Sequence, residues 1–135
     1  MVIFLDTNIM LNSFLTRDDD TSSQVIAFLL EKEYEIYINA ISIINIDYHL
    51  KKEFSRHQRK KTIQFLLDYF HIVQSDKNVF QKALDSDFTD FEDSVQYFSS
   101  KNIEAELIIT DDKKGFKNSE IPVFKAKDFF KRFIK

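Results

Sequence analysis

Apolar positions along the chain follow two periodicities in turn. Short runs rich in β-branched and aromatic residues, VIFL (2–5), EIYINA (35–40), YFHIV (69–73), ELIIT (106–110) and IPVF (121–124), predict five strands. Between and after them, apolar residues three and four apart predict helices over 8–15, 21–33, 41–54, 56–68, 76–86, 90–102 and 125–134. Thr21 with Gln24, and Ser55 with Gln58, match the spacing of a capping box and predict two of the helix starts. Strands that alternate with helices pair in parallel through right-handed crossovers. The expected fold is therefore α/β with three layers: a central parallel sheet of about five strands flanked by about seven helices. No linker, repeat or low-complexity tract interrupts it.

Composition narrows this picture. A chain of 135 residues with 44% hydrophobic content suits one domain, 1–135, with a sizeable core. One Gly and one Pro are too few for an all-β fold with many tight turns, while 15 Phe and 5 Tyr supply large core side chains. Without Cys there is no disulfide, thiolate catalysis or Cys-ligated zinc. An acid at position 6 and no basic lead argue against a signal peptide, and no apolar run reaches the roughly 18 residues of a membrane span. A cytoplasmic protein is expected. Net charge is -3, yet KKEFSRHQRKK at 51–61 gathers basic residues in one place.

The first strand ends on a carboxylate, Asp6, an unusual last residue for a buried strand. In open parallel sheets function collects beyond the carboxyl ends of the strands. Asp111 and Asp112 follow another strand, and DFED supplies Asp90, Glu92 and Asp93, with Asp90 and Asp93 on one face of a first helical turn. Taken singly, each acid reads as a helix cap or turn residue. Together, carboxylates without Lys or Arg between them repel one another, and a hard divalent cation bound through oxygen is the usual relief. The lone Gly115 excludes a Gly-rich phosphate cradle, and the three His lack metal-ligand spacing. Phosphodiester hydrolysis assisted by a cation fits what remains.

VIFLDTNIML, AISIINIDYHLKK, DFEDSVQYFSS, LIITDDKKGF and SEIPVF together resemble the PIN domain of the VapC-like toxin ribonucleases, in order and across nearly the whole chain. The resemblance implies a PIN-like fold and an endoribonuclease that uses Mg2+ or Mn2+ and leaves 5'-phosphate and 3'-hydroxyl ends. Carried onto this chain, it implies Asp6, Asp93 and Asp112 as metal ligands and Asp90 as an assisting catalytic acid. Asn8 and Thr110 would orient the carboxylates. The family commonly has Glu where this chain has Asn45, and Asp47 is a poor substitute because two residues turn a helix by roughly 200°. An antitoxin protein and a second copy of the chain are the implied partners, with RNA as substrate.

Other features have plainer readings. Phe91, Val95 and Phe98 form a stripe expected in the core, opposite the acids. His49 reads as an ordinary helix-boundary residue. The basic run reads as solvated surface, or as RNA contact through Lys52, Arg56, Arg59 and Lys60. Two alternatives stand beside the nuclease: a non-catalytic PIN module that binds RNA or protein, motivated by Asn45, and a haloacid-dehalogenase-like phosphatase, faintly suggested by FLDTN and IITDD.

Overall fold

Parallel strands need crossovers, and the helices supply them. The computed structural model describes residues 1–134. In chain order it runs β1 (Val2–Leu5), α1 (Thr7–Leu15), α2 (Thr21–Glu31), β2 (Glu35–Asn39), α3 (Ala40–Leu50), α4 (Arg56–Tyr69), β3 (His71–Val73), α5 (Lys77–Leu84), α6 (Phe91–Asn102) and β4 (Leu107–Ile109). A 3-10 turn (Lys113–Phe116), β5 (Val123–Phe124) and α7 (Ala126–Phe129) complete it, with a π turn over Phe130–Ile134. All pairings are parallel and the strand order is β3-β2-β1-β4-β5. The chain builds outward from β1 to β3 and then returns to the other side of β1. The carboxyl ends of β1 and β4 therefore flank the switch point, where neighbouring crossovers leave in opposite directions and open a crevice.

Alternation along the strands gives each face of the sheet its own core. Ile3, Leu5, Ile36, Ile38, Leu107 and Ile109 pack with Ile9, Val25, Leu29, Ile46 and Phe129 on one face. Phe4 and Ile108 pack with Tyr97 and Phe116 on the other. Strands covered on both faces read as continuous apolar runs, which is why VIFL and LII carry no polar residue until they leave the core. Register places Leu5 opposite Ile109, so Asp6 emerges beside Thr110.

Several expectations change in detail. The Ser55–Gln58 capping box forms as expected. The Thr21–Gln24 box does not: Asp20 holds the cap position without a side-chain bond, and Asp18 instead takes the Ser22 N–H and hydroxyl, the latter at 2.6 Å. Asp18 reaches those donors from the preceding turn, and Thr21 is already helical. Helix α3 stops at Leu50 rather than 54, because Ser55 caps a new helix and Phe54 turns back against the core. The stripe on α6 holds in part. Val95 is buried and Phe98 half-buried, but Phe91 is 51% exposed, at the open end of the helix, and stacks on Phe80 with centroids 6.2 Å apart.

Asp111 is a structural residue. Its carboxylate accepts from Asn12 Nδ2 at 2.5 Å on α1 and from the Ala126 N–H at 3.3 Å at the start of α7. It thus ties the end of β4 to helices before and after it. Asp111→Ala leaves two donors unpaired and should cost about 1–3 kcal/mol of stability. Urea denaturation of the purified variant checks this. A midpoint equal to that of the parent would remove the structural role.

Candidate active site

Two strand ends and one helix start meet at the switch point. Asp6, only 5% exposed, closes β1, and its backbone N–H donates to Ile109 O at 3.0 Å. Its Oδ1 accepts the Thr7 N–H at 2.8 Å, as an N-cap does, while Oδ2 accepts the Thr110 hydroxyl at 2.7 Å and Asn8 Nδ2 at 3.4 Å. Thr110 Oγ1 in turn accepts from the Asp112 N–H at 3.0 Å and from Asn8 Nδ2 at 3.2 Å. Asn8 Oδ1 accepts the Asp111 N–H at 3.2 Å. Asn8 and Thr110 thus touch Asp6 and the chain leading to Asp112.

From the other side α6 presents the DFED acids. Asp90 caps the helix, its Oδ1 accepting the Asp93 N–H at 2.9 Å. Asp112 caps the 3-10 turn through the Gly115 N–H at 3.2 Å. Capping and clustering are therefore both true of these residues. Burial is the main force that pushes Asp93 up to about 8, followed by the negative charges of Asp6, Asp90 and Asp112. Burial likewise pushes Asp6 up to about 6, against the hydrogen bonds from Thr110 and Thr7, with Glu92 and Asp112 adding repulsion. No Lys or Arg lies among these causes. Asp6, Asp90, Asp93 and Asp112 form one electrostatic neighbourhood.

Contacts from α3 and the buried face of α6 complete it. Asn45 Nδ2 on α3 donates to Glu92 Oε2 at 2.7 Å, so Asn45 faces the acids through Glu92. Asp47 points elsewhere, onto Arg59 Nε at 3.1 Å. Below them Gln96 Nε2 donates to Ser42 Oγ at 3.0 Å and Thr7 Oγ1 at 3.3 Å, and the two hydroxyls lie 2.7 Å apart. This buried net ties α1, α3 and α6 together. Ser42 and Gln96 carried little sequence signal, whereas Glu92 was already marked as one of the DFED acids. Gln96 sits three residues after Asp93 inside an otherwise buried stretch, and that polar interruption is the clue that was there. The basic run lies apart: Arg59 is fixed by Asp47 and by Phe54 O at 2.9 Å, while Lys52, Arg56 and Lys60 are exposed.

Among the described residues, no three Asp, Glu, His or Cys side chains already converge as a cation cage. Two observations nevertheless fit a hard cation. A Cβ on Gly115 would collide with Asp93 Oδ2 and stand 2.9 Å from Asp112 Oδ2, so glycine keeps the space beside both carboxylates open. The second is that, beyond burial, the charges of Asp6 and Asp112 raise the proton affinity of Asp93 and the charge of Asp112 that of Asp6, with no Lys or Arg among them. All-oxygen donors of this kind suit magnesium or manganese.

A family model described as PIN domain matches residues 2–114. The chain belongs to the PIN domain family. It is 25% identical over 138 residues to Ribonuclease VapC1 of Aquifex aeolicus, covering 97% of this chain and 94% of that protein. VapBC2 from Rickettsia felis, solved bound to a DNA fragment from its promoter, superimposes with a TM-score of 0.72 at 16% identity, over 93% of this chain and 98% of that one. FitAcB from Neisseria gonorrhoeae gives 0.71 at 16% identity, again over 93% and 98%. The α/β PIN-like fold is the one shared with these structures.

The raised acids set a pH dependence. Between about pH 4 and about pH 8 Asp6 and Asp93 hold more protons in the folded, metal-free protein than in the unfolded chain, so the stability they contribute falls as pH rises through that window and levels off above it. Melting temperatures in chelator should decline over this range. Asp93→Asn removes the upper part of the decline, leaving the part due to Asp6, which ends near pH 6. A decline of full size between pH 6 and pH 8 in that variant would show that Asp93 is not its source.

Proposed function

We propose that this protein is a metal-dependent endoribonuclease, a single-domain VapC-like toxin of a toxin-antitoxin pair working in the cytoplasm. The observation that supports the reading is the proximity of Asp6, Asp93 and Asp112 beside the β1–β4 switch point, close enough for their charges to act on one another, with Thr110 and Asn8 bonded to the carboxylate of Asp6 and Thr110 to the chain at Asp112. The similarity to Ribonuclease VapC1 supports the activity, and membership in the PIN family supersedes the phosphatase alternative. Asp6, Asp93 and Asp112 would hold Mg2+ or Mn2+, with Asp90 assisting. When bound there, the ion would supply an activated water and charge stabilisation at the leaving oxygen. Thr110 holds Asp6 Oδ2 by donating to it, Asn8 and the Asp6 cap fix the start of α1, and Gly115 leaves room beside the acids.

Asp6→Asn, Asp93→Asn and Asp112→Asn should each lower manganese-dependent cleavage of a long structured RNA by about 10²-fold or more, with the fold intact by circular dichroism. Full cleavage by Asp6→Asn would sink the reading. An RNA-binding but inactive wild type would favour the non-catalytic module.

Asn45 governs how strongly the centre attracts a cation. Its amide brings no charge and is spent on Glu92. Asn45→Glu adds a carboxylate beside Glu92, so it should tighten manganese binding in calorimetry while lowering the metal-free melting temperature. Asp47→Asn should change manganese affinity little and cost about 0–1 kcal/mol through the partly exposed pair with Arg59. The reverse pattern would make Asp47 the second acid.

The partners follow from the same reading. An antitoxin is supported by the similarity to VapC1 and by the shared fold of the VapBC2 complex. A homodimer is supported by apolar side chains left in water on α3 and α5, where Ile44, Tyr48 and Leu84 are 71%, 66% and 68% exposed. RNA contact through Lys52, Arg56 and Lys60 remains part of the proposal, with Arg59 anchoring α4, which carries Arg56 and Lys60, to Asp47.

A further inference from the structure

The residues that follow the last acid, KKGFK, form no part of the acidic centre, yet they begin one position beyond Asp112. Lys113 and Lys117 line a groove of about 450 Å3 beside β5, whose floor is the buried ring of Phe116 and whose far wall includes Pro122 and Phe124. Lys114 is exposed on the same turn. None of the three has a carboxylate within salt-bridge distance among the described residues, where the ion pairs found are Arg59 with Asp47 and Lys101 with Glu120. Glu120, the acid nearest in sequence beyond the turn, is held by Lys101 Nζ at 2.6 Å. No acid lines the groove itself. Other grooves differ: the one beside Arg56 and Lys60 contains Asp47, and the one beside Lys125 and Lys127 contains Asp18, Asp19 and Asp111.

We propose that this groove binds the sugar-phosphate backbone of single-stranded RNA, with Lys113, Lys114 and Lys117 gripping phosphates next to the one being cut. The inference rests on the ribonuclease reading above. A phosphodiester approaching Asp6, Asp93 and Asp112 meets net negative charge, so attraction has to come from cations close to the acids but not paired with them. The turn after Asp112 is where the chain places such cations. Its anchors are fixed: Gly115 N–H on Asp112 at one end and Phe116 in the core. The volume is that of a small-ligand site, large enough for a nucleotide unit, and lysines without an acidic partner along it match the positively charged groove that tracks the backbone of a single strand.

The test measures binding of a labelled oligouridylate by fluorescence anisotropy across a salt series, in the inactive Asp6→Asn protein. Lys113→Ala, Lys114→Ala and Lys117→Ala together should weaken binding and flatten the slope of log affinity against log salt by about two units, at roughly 0.7 per lost phosphate contact. The three Lys→Arg substitutions together should restore both. Melting temperature reports whether either protein folds as the parent does. If the active parent cleaves RNA but the alanine variant keeps the parent's slope and affinity, the groove inference is overturned and the nuclease reading stands. If the parent neither binds nor cleaves RNA, both fall. Loss of affinity for an acidic peptide with RNA binding unchanged also overturns the inference and gives the groove to a protein partner.

Discussion

One hydroxyl carries the geometry on which the site depends. Thr110 Oγ1 has one proton to give and two lone pairs to fill, and all are used: it donates to Asp6 Oδ2 and accepts from the Asp112 N–H and from Asn8 Nδ2. A single atom therefore fixes the carboxylate at the end of β1 relative to the chain that leaves β4. That is possible only because parallel pairing sets Leu5 opposite Ile109 and brings the next residues level. A slip of one residue would turn Asp6 to the other face and break every bond in this set.

The same arrangement explains why the acids remain strained by their own charge. Each backbone donor and hydroxyl that reaches Asp6 lowers its cost of ionisation, yet burial outweighs them and its proton affinity stays above normal. Asp93 lacks even that support, and three neighbouring carboxylates act on it. The basic residues that might have neutralised the cluster are spent or placed elsewhere: Arg59 on Asp47, Lys101 on Glu120, and the lysines after Asp112 along an outer groove. The fold thus keeps negative charge at the centre and the exposed lysines outside it. The net charge of -3 says nothing about it, since the total averages over both.

The strands, the order of acids and most helix bodies were legible because they rest on local pattern. Both-face burial writes itself as VIFL and LII, and Ser55–Gln58 satisfies its neighbours within one turn. What was not legible depends on contacts between distant segments. Thr21 and Gln24 have the same spacing as Ser55 and Gln58, but the helix starts one residue earlier, so the backbone carbonyls of Asp18 and Asp20 take the Thr21 and Gln24 N–H groups that the box would use. Phe91 has the spacing of a core residue but sits where the helix projects beyond the sheet. Asp111 and Asp112 are adjacent and chemically identical. Only the fold shows that one binds Asn12 and the start of α7 while the other caps the turn beside Asp93.

Asn45 and Glu92 show how a site can change its charge without losing its shape. A glutamate at 45 would face Glu92 directly, two negative groups where the structure now has a 2.7 Å hydrogen bond. The amide therefore removes one carboxylate from the crowd and holds another in place. That trade lowers the repulsion the fold must withstand. Gln96 below repeats the logic, with a neutral amide bridging Thr7 and Ser42 at the junction of three helices. Neutral amides on α3 and α6 thus set the frame, and Asp6, Asp93 and Asp112 supply the charge. The amide–hydroxyl bonds among Gln96, Ser42 and Thr7 do not titrate, whereas the bonds that Asp6 accepts from Thr110 and Thr7 weaken when its carboxylate takes up a proton.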